Sequence, residues 1–249
     1  MKKKQVESIF PNVGILFLLL IALTFASCFS TKRVIVKFNS KPDEIYTKSS
    51  LDNLLKNNPN PSIVVRVPKS NTVISDNKNL SLSSTYSSIE KELIKNNFIV
   101  RDEAVFEKVA NQNQQMDYAK LHELTGVDIL LELVDVTSVE FSTNIYYDKN
   151  GKPFTLPTGT TLRGRKADFK IVILKENEVA GNYTFYWTPC LDGCEYIYQY
   201  GPSGSTIIAP NYVKRLNVNE PLTPYETISS DAWSNFISEA TRRIINEMK

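Results

Sequence analysis

Three runs of alternating side chains constrain this chain more than any other feature. Val127, Ile129, Leu131 and Leu133 alternate with Asp128 and Glu132. Ala167, Phe169, Ile171 and Ile173 alternate with Lys166, Asp168 and Lys170, and Tyr183, Phe185 and Trp187 with Asn182, Thr184 and Tyr186. Successive side chains of a strand point to opposite faces, so a period of two over this length demands a sheet with a buried face. The second and third runs flank Lys175-Glu-Asn-Glu178 and read as an antiparallel hairpin with a four-residue turn.

Elsewhere the period is helical. Leu82, Tyr86, Ile89 and Leu93 recur at spacings of four, three and four, which is one face of a helix, and Asn96-Asn97 suits a left-handed stop. A short strand, Phe98-Ile-Val-Arg101, follows. Asp102 caps a second helix carrying Val105, Phe106 and Val109, and Asp117 a third carrying Tyr118, Leu121 and Leu124 with Gly126 at its end. A fourth begins near Asp231 and lines up Trp233, Phe236, Ile237, Ala240, Ile244 and Ile245. Ser62–Val67 reads as a buried strand closed by Pro68, before a polar loop over 70–79. Ahead of it, Arg33–Phe38 is strand-like, Leu51–Lys56 suits a short helix, and Asn57–Pro61 is a cluster of breakers. The stretches 148–164 and 188–228 lack a clean period and read as long loops. The expected fold class is α+β: a mixed, largely antiparallel sheet with helices on one face.

The first thirty residues carry an address. Lys2-Lys3-Lys4 precede Gly14–Ala26, thirteen residues without a charge. A helix that spans a bilayer needs about 20 apolar residues, so this run reads as the signal helix of a secretory signal peptide. It ends in Phe25-Ala26-Ser27-Cys28, which resembles the lipobox of bacterial lipoproteins, with Phe25 where an aliphatic residue is usual. The resemblance implies removal of residues 1–27, acylation of Cys28 with palmitate-like chains, and a membrane held through that lipid. Residues 28–61 are then a tether and approach segment, and 62–249 the folded domain. Of 29 Lys+Arg and 27 Asp+Glu, the leader takes three Lys and one Glu, leaving 26 of each sign. A balanced chain has no global attraction to nucleic acid, and the 42% of hydrophobic residues supply a core.

The block from Ile63 to Val136 resembles the curli-secretion-channel (CsgG-like) lipoprotein superfamily, which includes activators of peptidoglycan synthases. Ile89-Glu-Lys-Glu-Leu93, Phe98-Ile-Val100, Phe106-Glu-Lys-Val109 and Gly126-Val-Asp128 match its helix–strand–helix–strand motifs in order. The family often has an Arg two or three residues after the Phe-x-Val strand; Glu103 stands at that position here, and Arg101 comes earlier. The resemblance implies an outer-membrane lipoprotein facing the periplasm that works by protein contacts in envelope assembly or secretion, without catalysis. The channel-forming members of the superfamily set the first alternative, an oligomeric pore subunit. The second is an envelope hydrolase using acidic residues.

Few residues offer chemistry. His122 is the single histidine and lies between Leu121 and Glu123 on a helix; no nucleophile stands near it in sequence. Cys190 and Cys194, four apart around a glycine turn, fit a disulfide in an oxidising compartment, with free thiols as the alternative. Four zinc ligands are not available from two thiols and one His, so neither metal nor cofactor is expected. The carboxylates Asp102, Glu103, Asp128 and Glu132 have helix-start or strand-face explanations, and Gly201-Pro-Ser-Gly204 lacks the lysine of a phosphate loop. The aromatic stretch from Tyr183 to Tyr200 is the binding candidate. Tyr186, Tyr196, Tyr198 and Tyr200 are expected to face an envelope protein partner or a second copy, because tyrosine suits surfaces apolar at one end and wet at the other. On that reading, truncating the last three spares the sheet core.

Overall fold

The computed structural model describes residues 30–67, 81–112, 117–201, 204–208 and 227–249; the leader with Cys28 and the polar loop at 70–79 lie outside them. In chain order the elements are β1 (Ser30–Val36), β2 (Glu44–Thr47), α1 (Ser49–Asn57), β3 (Ser62–Arg66), α2 (Leu82–Lys95), β4 (Ile99–Arg101) and α3 (Glu103–Gln112). Then come α4 (Tyr118–Thr125), β5 (Ile129–Tyr147), β6 (Pro153–Ile173), β7 (Glu178–Trp187), β8 (Cys194–Gly201), β9 (Gly204–Ile208) and α5 (Ser230–Glu247).

The strands form one mixed sheet with the order β2-β7-β6-β5-β1-β8-β9; β3 lies beside the start of β5 and carries β4 at its other edge. Among the described residues only the β3 pairings are parallel, with Ile63 opposite Ile129 and Ser62 opposite Ile99. The expected hairpin is β6–β7, Ile173 facing Glu178 across the turn. Capping follows the sequence. Ser81 Oγ accepts from the Ser84 amide, Asp102 Oδ1 from Ala104 at 2.7 Å, and Asp117 from Ala119 and Lys120. Gly126 ends α4 at φ 65°, its amide donating to His122 O, and Asn97 takes φ 67° after α2.

The alternation sorts side chains to two faces. Ile63, Val65, Ile129, Leu131, Leu133, Phe169 and Ile171 face α1, α2 and α5 and build the main core with Leu51, Ile89, Leu93, Trp233 and Ile237. Val64, Leu130 and Val172 point the other way and meet Phe106 and Leu121 of α3 and α4. The α+β class is as expected. The helices, however, occupy both faces rather than one, because the starts of β3 and β5 and the end of β6 are apolar on both sides. Beyond α3 and α4 that second face is charged: Glu132, 4% exposed, lies in register between Arg66 and Lys170. Arg66 Nε donates to its Oε1 at 2.8 Å, and Lys170 Nζ is 2.7 Å from Oε2.

The expected tether is part of the fold. Val34, Val36 and Phe38 are buried because β1 is inserted between β5 and β8, while β2 edges β7 and α1 contributes Leu51 to the core. The expected loops also hold strands. β6 begins at Pro153, and its irregular composition is absorbed where Thr143 faces Thr160 and Ile145 faces Thr155: the extra residues around Pro157 bulge out, which is where a sheet accommodates proline. β8 and β9 occupy part of 188–228; residues 209–226 lie outside the described ones. This half of the sheet curls around a second core of Val34, Val36, Phe141, Tyr146, Leu162 and Tyr196. Gly164 marks the junction, since a Cβ there would stand 2.4 Å from the Trp187 carbonyl oxygen and 2.5 Å from the Phe141 ring.

A candidate binding groove beside the disulfide loop

At the end of β1 away from Ser30, three segments converge on an open groove of about 720 Å³: the β1–β2 connection at Ser40–Asp43, the loop from Thr188 to Gly193, and one side of α5. The loop is shaped by its sequence. Cys190 at φ 53° and Gly193 at φ 107° close a turn in which the Gly193 amide donates to Cys190 O, and Cys190 is disulfide-bonded to Cys194 across a Cα–Cα distance of 5.3 Å. Cys194 opens β8 opposite Val36, so the covalent loop is fastened to the central sheet. Glycine is required at 193 on two counts, its positive φ and the Ile35 methyl 2.7 Å from where a Cβ would stand.

The floor is aromatic. Trp187 ends β7 and is partly buried against the main core, and Phe236 of α5 packs on Trp233 with centroids 5.5 Å apart. Tyr186 lies on the wall, its hydroxyl donating to Glu44 Oε1 at 2.5 Å. That hydrogen bond, with burial and the neighbouring carboxylates, pushes the phenol pKa up to about 12. The Lys41 ammonium sits 5.7 Å from the Tyr186 centroid and 5.1 Å from that of Phe141. Arg243 bridges Asp43 and Glu239 on the opposite rim. Leu191 stands 54% exposed at the loop tip, and the Thr188 hydroxyl on the wall is buried with no hydrogen-bond partner. A buried hydroxyl left unpaired costs free energy.

Of the three singled-out tyrosines whose side chains are described, the groove holds Tyr186 alone. Tyr196 and Tyr198 are 0% and 6% exposed and belong to the second core, so they are packing residues rather than surface contacts. Their alternation along β8, with Tyr196 facing Val34 and Tyr198 facing Lys32, explains why the stretch is a strand and not a loop. Truncating them empties the curled half instead of sparing it. Tyr200 pairs through its backbone with Ser30; its side chain lies outside the described ones. Sequence reasoning missed Thr188, Leu191 and Phe236 as groove-lining residues. The signal for the first two was available, since the turn residues around Cys190 follow directly on a buried strand.

The other candidates for chemistry sit in structural bonds. His122 Nδ1 is 2.8 Å from the Val127 carbonyl oxygen. Asp128 accepts from the Ser62 amide at 2.8 Å, the Ser62 hydroxyl at 2.9 Å and Asn58 at 3.2 Å, tying β3 to the entry of β5. Glu132 is held by Arg66 and Lys170, and Asp102 caps α3.

No family model matches the chain, and no curated protein matches it. Among solved structures, the lipoprotein GNA1162 from Neisseria meningitidis overlaps 76% of this chain and 99% of its own at 16% identity, with a TM-score of 0.31. A PelC dodecamer from Paraburkholderia phytofirmans overlaps 85% of this chain and 95% of its own at 8% identity, also with a TM-score of 0.31.

Proposed function

We propose that this chain is a lipid-anchored envelope protein, acylated on Cys28 at the periplasmic side of the outer membrane, that works without catalysis through protein contacts in envelope assembly or secretion. The observation that carries the contact role is the groove: an aromatic floor at Trp187 and Phe236 and the exposed Leu191 on a disulfide-fastened loop. Apolar anchors ringed by charge suit a peptide segment of a partner protein, which offers both side chains and backbone amides. The leader and the CsgG-like motif order of 63–136 support the envelope address. Each of those motifs falls on the kind of element it occupies in that superfamily: α2, β4, α3 and the entry of β5.

The pore alternative has less to stand on. The longest strand pair, β5–β6, carries Ser138, Glu140, Ser142, Thr161 and Arg163 on its outer face over the curled half. A strand facing lipid presents an apolar band there.

The test is a photo-crosslinking residue at Leu191 in cells, with adducts resolved from native membranes. A defined adduct is expected, to be lost when Phe236→Ala is added, while melting temperature stays within a few degrees because Phe236 is only partly buried. An unchanged adduct in a folded Phe236→Ala variant contradicts the groove as the contact.

A further inference from the structure

β1 starts at Ser30, two residues after Cys28, and is paired along its length with β8, Ser30 facing Tyr200 and Val36 facing Cys194. Two extended residues reach at most about 7 Å. A lipid on Cys28 therefore cannot act as a long leash, and the end of the sheet that holds Ser30 is drawn to the bilayer surface.

That end is basic. The turn between β5 and β6 reaches back along β1 toward that end: Ile35 faces Tyr147 in antiparallel register, so the turn that follows Tyr147 runs alongside Val34 and Arg33, and a shallow cleft is shared by Lys32, Arg33 and Asp148. Asp148 is turned into its own loop, its Oδ1 accepting from the amides of Asn150 at 2.8 Å and Lys152 at 2.9 Å. Lys149 and Lys152 are exposed, as are Lys32 and Arg33. Arg33 is 3.7 Å from Glu195, both well exposed. A chain with no net charge once the leader is removed thus carries four cations, against Asp148 and Glu195, along the part of β1 that leads to the point where its lipid would emerge. The opposite end of β1 lies about 20 Å away, six strand rises from Ser30, and it carries Cys194 and the groove.

We infer that the face formed by Lys32, Arg33, Lys149 and Lys152 is a membrane-docking surface that meets anionic phospholipid headgroups and holds the molecule upright, with the groove displayed away from the bilayer. This rests on the acylation of Cys28 proposed above. Cations near an anionic leaflet are attracted over roughly a Debye length, about 8 Å at physiological salt, and Lys32 and Arg33 stand two and three strand rises, about 7 and 10 Å, from Ser30, at the edge of that range.

The experiment uses the acylated full-length mature chain in vesicles of three parts phosphatidylcholine to one part phosphatidylglycerol. A thiol-reactive fluorophore is placed at Asn150→Cys or at Glu176→Cys, in the turns at opposite ends of the 21-residue β6, and is quenched by headgroup nitroxide lipid. Quenching at 150 is expected to exceed that at 176 at least fivefold. Adding Lys149→Glu and Lys152→Glu is expected to reduce it by half or more on these vesicles and to leave it unchanged on pure phosphatidylcholine. Equal quenching at the two turns in protein whose Cys28 carries acyl mass overturns the orientation alone. Quenching insensitive to the charge reversal overturns the role of the basic face. Absence of acyl mass overturns the anchor and this proposal together.

Discussion

Trp233→Ala is expected to cost about 3–5 kcal/mol and to lower the melting temperature by roughly 10 °C. The indole is fully buried at the start of α5, where its Nε1 donates to Thr85 Oγ1 of α2 at 2.8 Å and its ring packs on Phe236. Truncation opens a large cavity between α2 and α5 and removes the hydrogen bond that fixes their register. Because α5 also forms one wall of the groove, the same change should weaken the contact at Leu191 even at temperatures where the chain remains folded. Thermal unfolding with parallel crosslinking measures both. A loss under 1 kcal/mol would mean that α5 is not held by this core.

Glu132→Gln is the second large effect. Burial alone would raise the pKa of this carboxyl, but the hydrogen bonds and charges of Lys170 and Arg66 outweigh it and hold the group below its ordinary 4.5. A carboxylate whose folded pKa is depressed adds stability above the unfolded pKa and loses it as pH falls through the folded value. The variant should therefore be about 3 kcal/mol less stable at pH 7, the low end for a broken buried pair because Arg66 and Lys170 reach solvent. The gap to the parent chain should narrow steadily below about pH 4.5. Urea titrations at pH 7 and pH 3.5 check the sign; a gap that widens in acid contradicts the arrangement.

Both residues also mark how far the sequence could be read. Trp233 fell on an apolar stripe of period 3.6, and Glu132 on the polar side of a strand of period two, so α5 and the start of β5 were legible from local pattern. What Glu132 does was not, because its partners lie 66 and 38 positions away and are set by strand pairing. The same limit hid the second face. Val64, Leu130 and Val172 sit within continuous apolar runs, which say that a strand is buried on both sides without naming what covers it. The curled half was hardest. The bulges near Val134 and around Pro157 break the alternation of β5 and β6, and Tyr196 and Tyr198 resembled surface tyrosines because their core is built from distant segments of chain. Of the groove, sequence reading reached Tyr186 and the cysteine pair; Phe236 was visible only as a member of a helical stripe.

The proposed anchor, Cys28, lies two residues before β1 in sequence. Its most direct test is mass spectrometry of the N-terminal peptide from membrane-purified protein, with a Cys28→Ser variant fractionated in parallel. The expected result is a mature chain beginning at an acylated Cys28, and a variant that carries no acyl mass and leaves the outer-membrane fraction. A mature chain that begins elsewhere, or a Cys28→Ser protein that remains in that fraction, contradicts it.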